Sequence, residues 1–140
     1  LYVDRGEIMV APDYEPSLPM KIPEDGVYSY QENTRLRITI SNNIEISKSD
    51  ICATLDKEKI EFPLTLRIIQ QGDRFHPYGM NGSKLVSDYL TDRKICLWAR
   101  RSQMVVTDAK GEILWLVGHR IDHRFRITSS TTSVLKMELL

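Results

Sequence analysis

Apolar and polar positions alternate across residues 35–40, where Leu36, Ile38 and Ile40 are separated by Arg37 and Thr39. A period of two puts one set of side chains on a single face, so the pattern predicts a half-buried strand. Asn42-Asn43 follows, and Ile44-Glu45-Ile46 resumes the alternation, which predicts a hairpin. Residues 2–10 are short and β-branched enough for an earlier strand, with Arg5-Gly6 as a break. Residues 11–26 hold Pro12, Pro16, Pro19 and Pro23. Proline fixes φ and lacks an N–H donor, so a connecting loop is expected there. Residues 54–60 suit one helical turn, ended by Pro63, and residues 64–69 read as a strand.

The second half changes character. Residues 72–82 are rich in glycine and read as a structured loop. Residues 84–94 predict the one clear helix: Leu85 and Tyr89, and Val86 and Leu90, are i,i+4 pairs that make one apolar face. Ser83 is the expected N-cap, Lys84 and Asp88 an outward pair, and Arg93 and Lys94 the cationic last turn. Three strands are expected over 104–107, 112–117 and 125–128, with Asp108-Ala109-Lys110-Gly111 turning between the first two. Residues 133–139 suit a last strand. The fold class is therefore α+β, mainly β, with one clear helix.

At 140 residues, 41% hydrophobic and 27% charged, the chain has the size and composition of a globular domain or two small ones. Its longest apolar run, Ile113-Leu114-Trp115-Leu116-Val117, is too short to span a bilayer, so no membrane partner is expected. It starts at Leu1 and not at Met, which suggests a piece of a longer protein or a processed terminus. Cys52 and Cys96 form no C-x-x-C. Two free thiols in a reducing cytosol is the plainer reading, with one disulfide as the alternative.

Nineteen basic and nineteen acidic side chains cancel, which weighs against binding to nucleic acid through bulk charge. The halves differ, however. Residues 1–70 hold 8 basic and 12 acidic side chains, and residues 71–140 hold 11 and 7. That asymmetry points any anionic partner to the second half.

The sequence offers little for catalysis. It has neither the P-loop pattern nor a G-x-S-x-G elbow. Ser133-Val134-Leu135-Lys136 matches S-x-x-K by chance on an expected strand. His119, Asp122 and His123 lack helical context for a metal site, and Asp88 with Asp92 reads as a solvated helix face, not an acid–base pair. The loop of residues 72–84 is open to two readings. Its amides beside a helix start, flanked by Arg74 and Lys84, could seat a phosphate, while Phe75, His76 and Tyr78 could stack on bases. Alternatively its glycines permit a tight path and its aromatics plug the core. Arg93-Lys94 and Arg100-Arg101 bracket Trp98, a basic-aromatic interleaving common on nucleic-acid surfaces; the competing reading buries Trp98 against the sheet. Arg120, Arg124 and Arg126 add charge nearby, the last two on one strand face if that segment is extended.

These residues also carry a family resemblance. Pro63-Leu64-Thr65-Leu66-Arg67, Gly72-Asp73-Arg74-Phe75-His76-Pro77-Tyr78-Gly79-Met80 and Gly82-Ser83-Lys84 stand in an order and spacing similar to the C-terminal domain of tRNA(Ile)-lysidine synthetases. So do Val86-Ser87-Asp88-Tyr89-Leu90, Asp92-Arg93-Lys94-Ile95 and the run from Ile113 to Asp122. The likeness covers about residues 54 to 128 and departs at Cys96, Ala99 and Gln103-Met104.

The resemblance implies β-sandwich-like sheets, as in the phenylalanyl-tRNA synthetase β-subunit. It also implies a division into a preceding β-rich subdomain, 1–53, and the family domain, 54–140, packed separately or as one unit. It implies a cytoplasmic ligase that attaches lysine to the wobble cytidine of isoleucine tRNA, with ATP and Mg used by an N-terminal catalytic domain bearing S-G-G-x-D-S. That motif is missing here, so this piece is expected to be inactive alone and to hold no cofactor. Its implied partners are the acceptor stem of isoleucine tRNA and the catalytic domain. The candidate tRNA contacts are Arg74, Lys84, Arg93, Lys94, Arg100 and Arg101. The alternative is a structural or dimerisation module, a homodimer for instance, with no RNA affinity of its own.

Overall fold

The structure, a computed structural model, describes residues 18–31 and 33–140, so the strand expected over residues 2–10 lies outside the described residues. Eleven strands and two short helices follow in chain order: β1 (Met20–Ile22), β2 (Gly26–Tyr30), β3 (Thr34–Ser41), β4 (Cys52–Asp56), β5 (Leu64–Ile68), β6 (Arg74–Phe75), β7 (Lys84–Leu85), α1 (Val86–Asp92), α2 (Leu97–Arg101), β8 (Met104–Thr107), β9 (Ile113–Leu116), β10 (Arg120–Ile121) and β11 (Val134–Leu139). They build an antiparallel five-stranded sheet, β1-β5-β8-β9-β10, and an antiparallel four-stranded sheet, β2-β3-β11-β4. A two-stranded ribbon, β6-β7, stands apart.

The two large sheets close face to face on one core. Leu36, Ile38, Leu55, Leu135 and Met137 from the four-stranded sheet meet Ile22, Leu64, Leu66, Val106 and Trp115 from the other. This is the mainly β, sandwich-like architecture expected. The outer face of the five-stranded sheet is covered as well: Val105, Ile113 and Leu116 pack with Phe75 of β6 and with Val86, Tyr89 and Leu90 of α1. Strands buried on both faces have no polar side to alternate with, which explains the unbroken apolar run from Ile113 to Val117. A third layer therefore lies on the sandwich, and it carries the basic segment.

Several elements differ from expectation for identifiable reasons. Within the stretch expected to be a loop, Met20–Ile22 pairs with β5 as an edge strand, flanked by Pro19 and Pro23. β3 pairs with β2 and β11, so there is no hairpin at Asn42-Asn43. Residues 44–50 run without strand pairing because hydroxyls take up their amides: Ser47 N–H donates to Thr54 Oγ1, and Ser49 N–H to Ser47 Oγ. Residues 52–56 are a strand paired with β11, and the helical turn is confined to Lys57–Lys59, where Asp56 Oδ1 accepts from Glu58 N–H. Residues 125–128 form no strand: Asp122 caps a tight turn at His123–Phe125, and the chain beyond it runs unpaired.

Asp122 is fully buried. Its Oδ2 accepts from His76 N–H at 2.8 Å, and its Oδ1 from Arg124 N–H at 2.9 Å. The Arg124 guanidinium closes on both oxygens at 3.0 and 3.1 Å. Around it, Tyr78 N–H donates to Ile121 O and His123 N–H to His76 O. The glycine-rich loop is thereby clamped to the segment after β9.

Two stability measurements follow. Leu135→Ala, at the centre of the four-stranded sheet, is expected to cost about 3 kcal/mol in urea unfolding, while the exposed Ile46→Ala should change stability by less than about 0.5 kcal/mol. Asp122→Asn should cost about 3 kcal/mol, because both buried oxygens accept from N–H donors and the amide NH2 would face donors with no acceptor, whereas removing the exposed Arg124–Glu112 pair by Glu112→Ala should cost under about 1 kcal/mol.

Candidate nucleic-acid interface

The third layer is held from beneath. Arg67 of β5 grips Asp73 with two bonds, Nη1 to Oδ2 at 2.9 Å and Nη2 to Oδ1 at 3.0 Å. Asp73 Oδ2 also accepts from Gln70 N–H, and Asp73 O accepts the first amide of α1, that of Val86. Phe75 and Tyr89 then meet edge to face in the core beneath α1, with ring centroids 5.4 Å apart. So the loop takes the tight path that Gly72, Gly79 and Gly82 permit, each with φ between 81° and 89°. Lys84 and Leu85 pair with Phe75 and Arg74 as a ribbon, so α1 starts two residues later than expected. Ser83 caps nothing: its Oγ accepts from Arg74 Nε at 3.1 Å.

Residues 74–101 hold six basic and two acidic side chains, a net +4 that equals the excess of the whole second half. All six candidate contacts fall on this one layer, in different states. Arg74 is spent on Ser83, and Lys84 forms an ion pair with Asp92, not with Asp88. Arg100 braces α1 against α2, with Nε donating to Ile95 O and Nη2 to Thr91 Oγ1. Arg93, Lys94 and Arg101 are exposed and have no carboxylate within ion-pair distance among the described residues. Lys94 sits in the left-handed region at φ 60°, ending α1 as glycine would, with Ile95 N–H donating back to Leu90 O. Arg93 is the C-cap, not part of a last helical turn.

α2 has no apolar face toward the core. Leu97 is 73% and Trp98 80% exposed, so Trp98 is a surface residue between Lys94 and Arg101 and is not buried against the sheet. Tyr89 gathers the remaining cations. Arg93 lies 5.3 Å and Arg120 5.9 Å from its ring centroid, and His119 meets it edge-on at 6.4 Å. Burial, then the nearby Arg93 charge, push the His119 pKa down, against a weaker pull upward from Asp50. Arg120 thus joins the basic face, with His119 beside it. The sequence already marks Arg120 as added charge near the basic segment, while His119 is hinted at only by its adjacency to Gly118 and Arg120 after an apolar strand.

The other sequence candidates separate. Arg124 is committed to Asp122 and Glu112, and Arg126 donates to His123 O. His123 Nδ1 accepts from Gly79 N–H, while His119 packs on Tyr89. Phe75 is core, while Tyr78 is exposed and tilted on His123. Cys52 and Cys96 are both free thiols. Among the described residues no three His, Cys, Asp or Glu side chains converge, and the first helical amide is already bonded. No helix among the described residues is long and apolar enough to cross a membrane.

Comparison with known proteins places this arrangement. A family model described as the TilS substrate C-terminal domain matches residues 64–137. The tRNA(Ile)-lysidine synthase of Parabacteroides distasonis is 38% identical over 119 residues, which are 84% of this chain and 27% of that protein. The one from Bacillus subtilis is 48% identical over 62 residues, 44% of this chain and 13% of that protein. The chain thus spans about a quarter or less of the length of these relatives. A crystal structure of a TilS C-terminal domain superposes with a TM-score of 0.74 at 17% identity, covering 87% of this chain and 96% of that one. An N-terminal fragment of the Pyrococcus horikoshii phenylalanyl-tRNA synthetase β-subunit superposes at 0.56, also at 17% identity, covering 63% of this chain and 27% of that one. The family match runs from β5 through the basic layer and into β11, and on it the chain belongs to the TilS C-terminal domain family.

Proposed function

We propose that this chain is the tRNA-reading module of a tRNA(Ile)-lysidine synthase and that its basic layer docks on the acceptor stem of isoleucine tRNA. The chemistry of such a synthase, attaching lysine to the wobble cytidine with ATP, belongs to other parts of the protein, since this sequence lacks S-G-G-x-D-S. The observation that carries the reading is that Arg93, Lys94 and Arg101 are exposed and free of carboxylate partners among the described residues, on the same short segment that exposes Trp98. Lys84 would have to leave Asp92 before neutralising a phosphate, and Arg74 and Arg100 would have to leave the neutral groups they hold, whereas Arg93, Lys94 and Arg101 can neutralise phosphates and release the RNA's counterions at no such cost. An A-form stem offers phosphates and 2′-hydroxyls to such a surface and little base information, so the module sets position and shape. Arg74, Lys84 and Arg100 serve as supports that hold the layer's outline and contribute charge at its edge.

The relatives' names support the substrate, and the fold shared with a tRNA synthetase fragment supports an RNA-facing role. The competing reading, a dimerisation module using Leu97 and Trp98, is separated by the same experiment. Fluorescence anisotropy with a labelled isoleucine-tRNA acceptor-stem hairpin should show binding that weakens steeply with salt and that prefers the cognate stem over one with scrambled pairs. A chain that stays unbound at low salt and elutes as a dimer sinks the proposal.

Lys94→Gly separates binding from folding. Glycine relieves the left-handed backbone, so the fold should be more stable by about 0.5–1 kcal/mol. At the same time one phosphate contact is lost, so the log–log salt slope of binding should shrink by about one. An unchanged slope would remove Lys94 from the interface.

A further inference from the structure

A cleft of about 280 Å³ opens beside the basic layer, between the segment leading into β4 and the turn joining β9 to β10. Its apolar lining comes from Ile46, Ile121, Ile127 and Tyr78, and it reaches the buried Trp115 of the core. Its polar lining is cationic in excess. Arg120 and Arg126 both line it, each bonded only to a backbone carbonyl, Tyr78 O at 3.3 Å and His123 O at 2.8 Å. Neither has a carboxylate within ion-pair distance among the described residues. The wall at residues 46–52 is held in shape by its own hydroxyls, including Ser49 Oγ accepting from Ile51 N–H.

The cleft is continuous with the basic layer. Arg120 lines it and also lies on the Tyr89 ring, whose other guanidinium is Arg93. A phosphate backbone following Arg93 to Arg120 would arrive at its edge. The volume is near the small end of ligand sites and far too small for a base pair. Flat aromatic and aliphatic walls beside unpaired guanidiniums match one base with its phosphate. We infer that the cleft receives a single unpaired nucleotide of the RNA bound on the basic layer, an inference that holds only if the RNA-binding reading above does.

The two cysteines provide the test in the unaltered chain. Cys52 lines the cleft, and Cys96 is exposed at the start of α2 on the basic layer. Iodoacetamide labelling is followed by mass spectrometry with a blunt acceptor-stem hairpin and with the same hairpin carrying a single-stranded tail. Both RNAs should slow labelling of Cys96, and only the tailed one should slow Cys52, by about tenfold for a base held with the strength of one stacked contact. Arg126→Ala should then make tailed and blunt hairpins bind alike. Protection of Cys96 without Cys52 overturns the inference and leaves the RNA-binding reading standing. Equal slowing of Cys52 by both RNAs overturns it too, because no tail is needed. Slowing by free mononucleotides at matched concentration assigns the cleft to a soluble ligand instead, and protection of neither thiol by either RNA removes both readings.

Discussion

A carboxylate without access to solvent, Asp122, joins the two segments that the basic surface depends on. It accepts the amide of His76 from the glycine-rich loop and the amide and guanidinium of Arg124 from the chain after β10. A buried charge is tolerable only when its lone pairs are occupied, and here four donors occupy them. Because the His76 donor lies 46 residues before Asp122 in sequence, satisfying the charge fixes where the two segments lie. Tyr78 and Ile121 are then held backbone to backbone, and Arg120 is placed one residue away.

The second dependence is two-sided burial of the five-stranded sheet. Its inner face closes the sandwich through Val106 and Trp115, and its outer face receives Phe75, Tyr89 and Leu90 through Val105 and Leu116. The outer contact settles α1, a helix of seven residues that is too short to be stable alone. Tyr89 is the hinge between packing and function. One edge completes the outer core, and the same ring collects Arg93, Arg120 and His119. The cationic surface is therefore a by-product of core packing: the helix sits where its apolar face is buried, and its charged end follows.

Much of this was legible in the sequence where burial is one-sided or complete. The alternation at Leu36 and Ile38 marks β3, and the unbroken apolar run from Ile113 marks β9. Reading failed where local side-chain bonds override the pattern. Phe125 to Ile127 looks alternating, yet Phe125 belongs to the turn that Asp122 caps and no strand follows; residues 44–46 alternate too, yet Ile44 and Ile46 stay exposed. α2 has no apolar periodicity to find because Leu97 and Trp98 face solvent. For the site, the six named cations do share one layer, but their availability depends on partners that spacing does not reveal. Lys84 meets Asp92 across eight residues, and Arg120 reaches Tyr89 across thirty-one.

The central claim is that RNA meets this chain on the layer formed by α1, α2 and the turn after β9. The most direct measurement is amide chemical-shift mapping of the isotope-labelled chain titrated with an acceptor-stem hairpin. The account predicts shifts concentrated over residues 93–101 and 118–121, fading as salt is added, with β2 and β3 on the opposite sheet unmoved. Shifts centred on β2 and β3, or a pattern indifferent to salt, would contradict it.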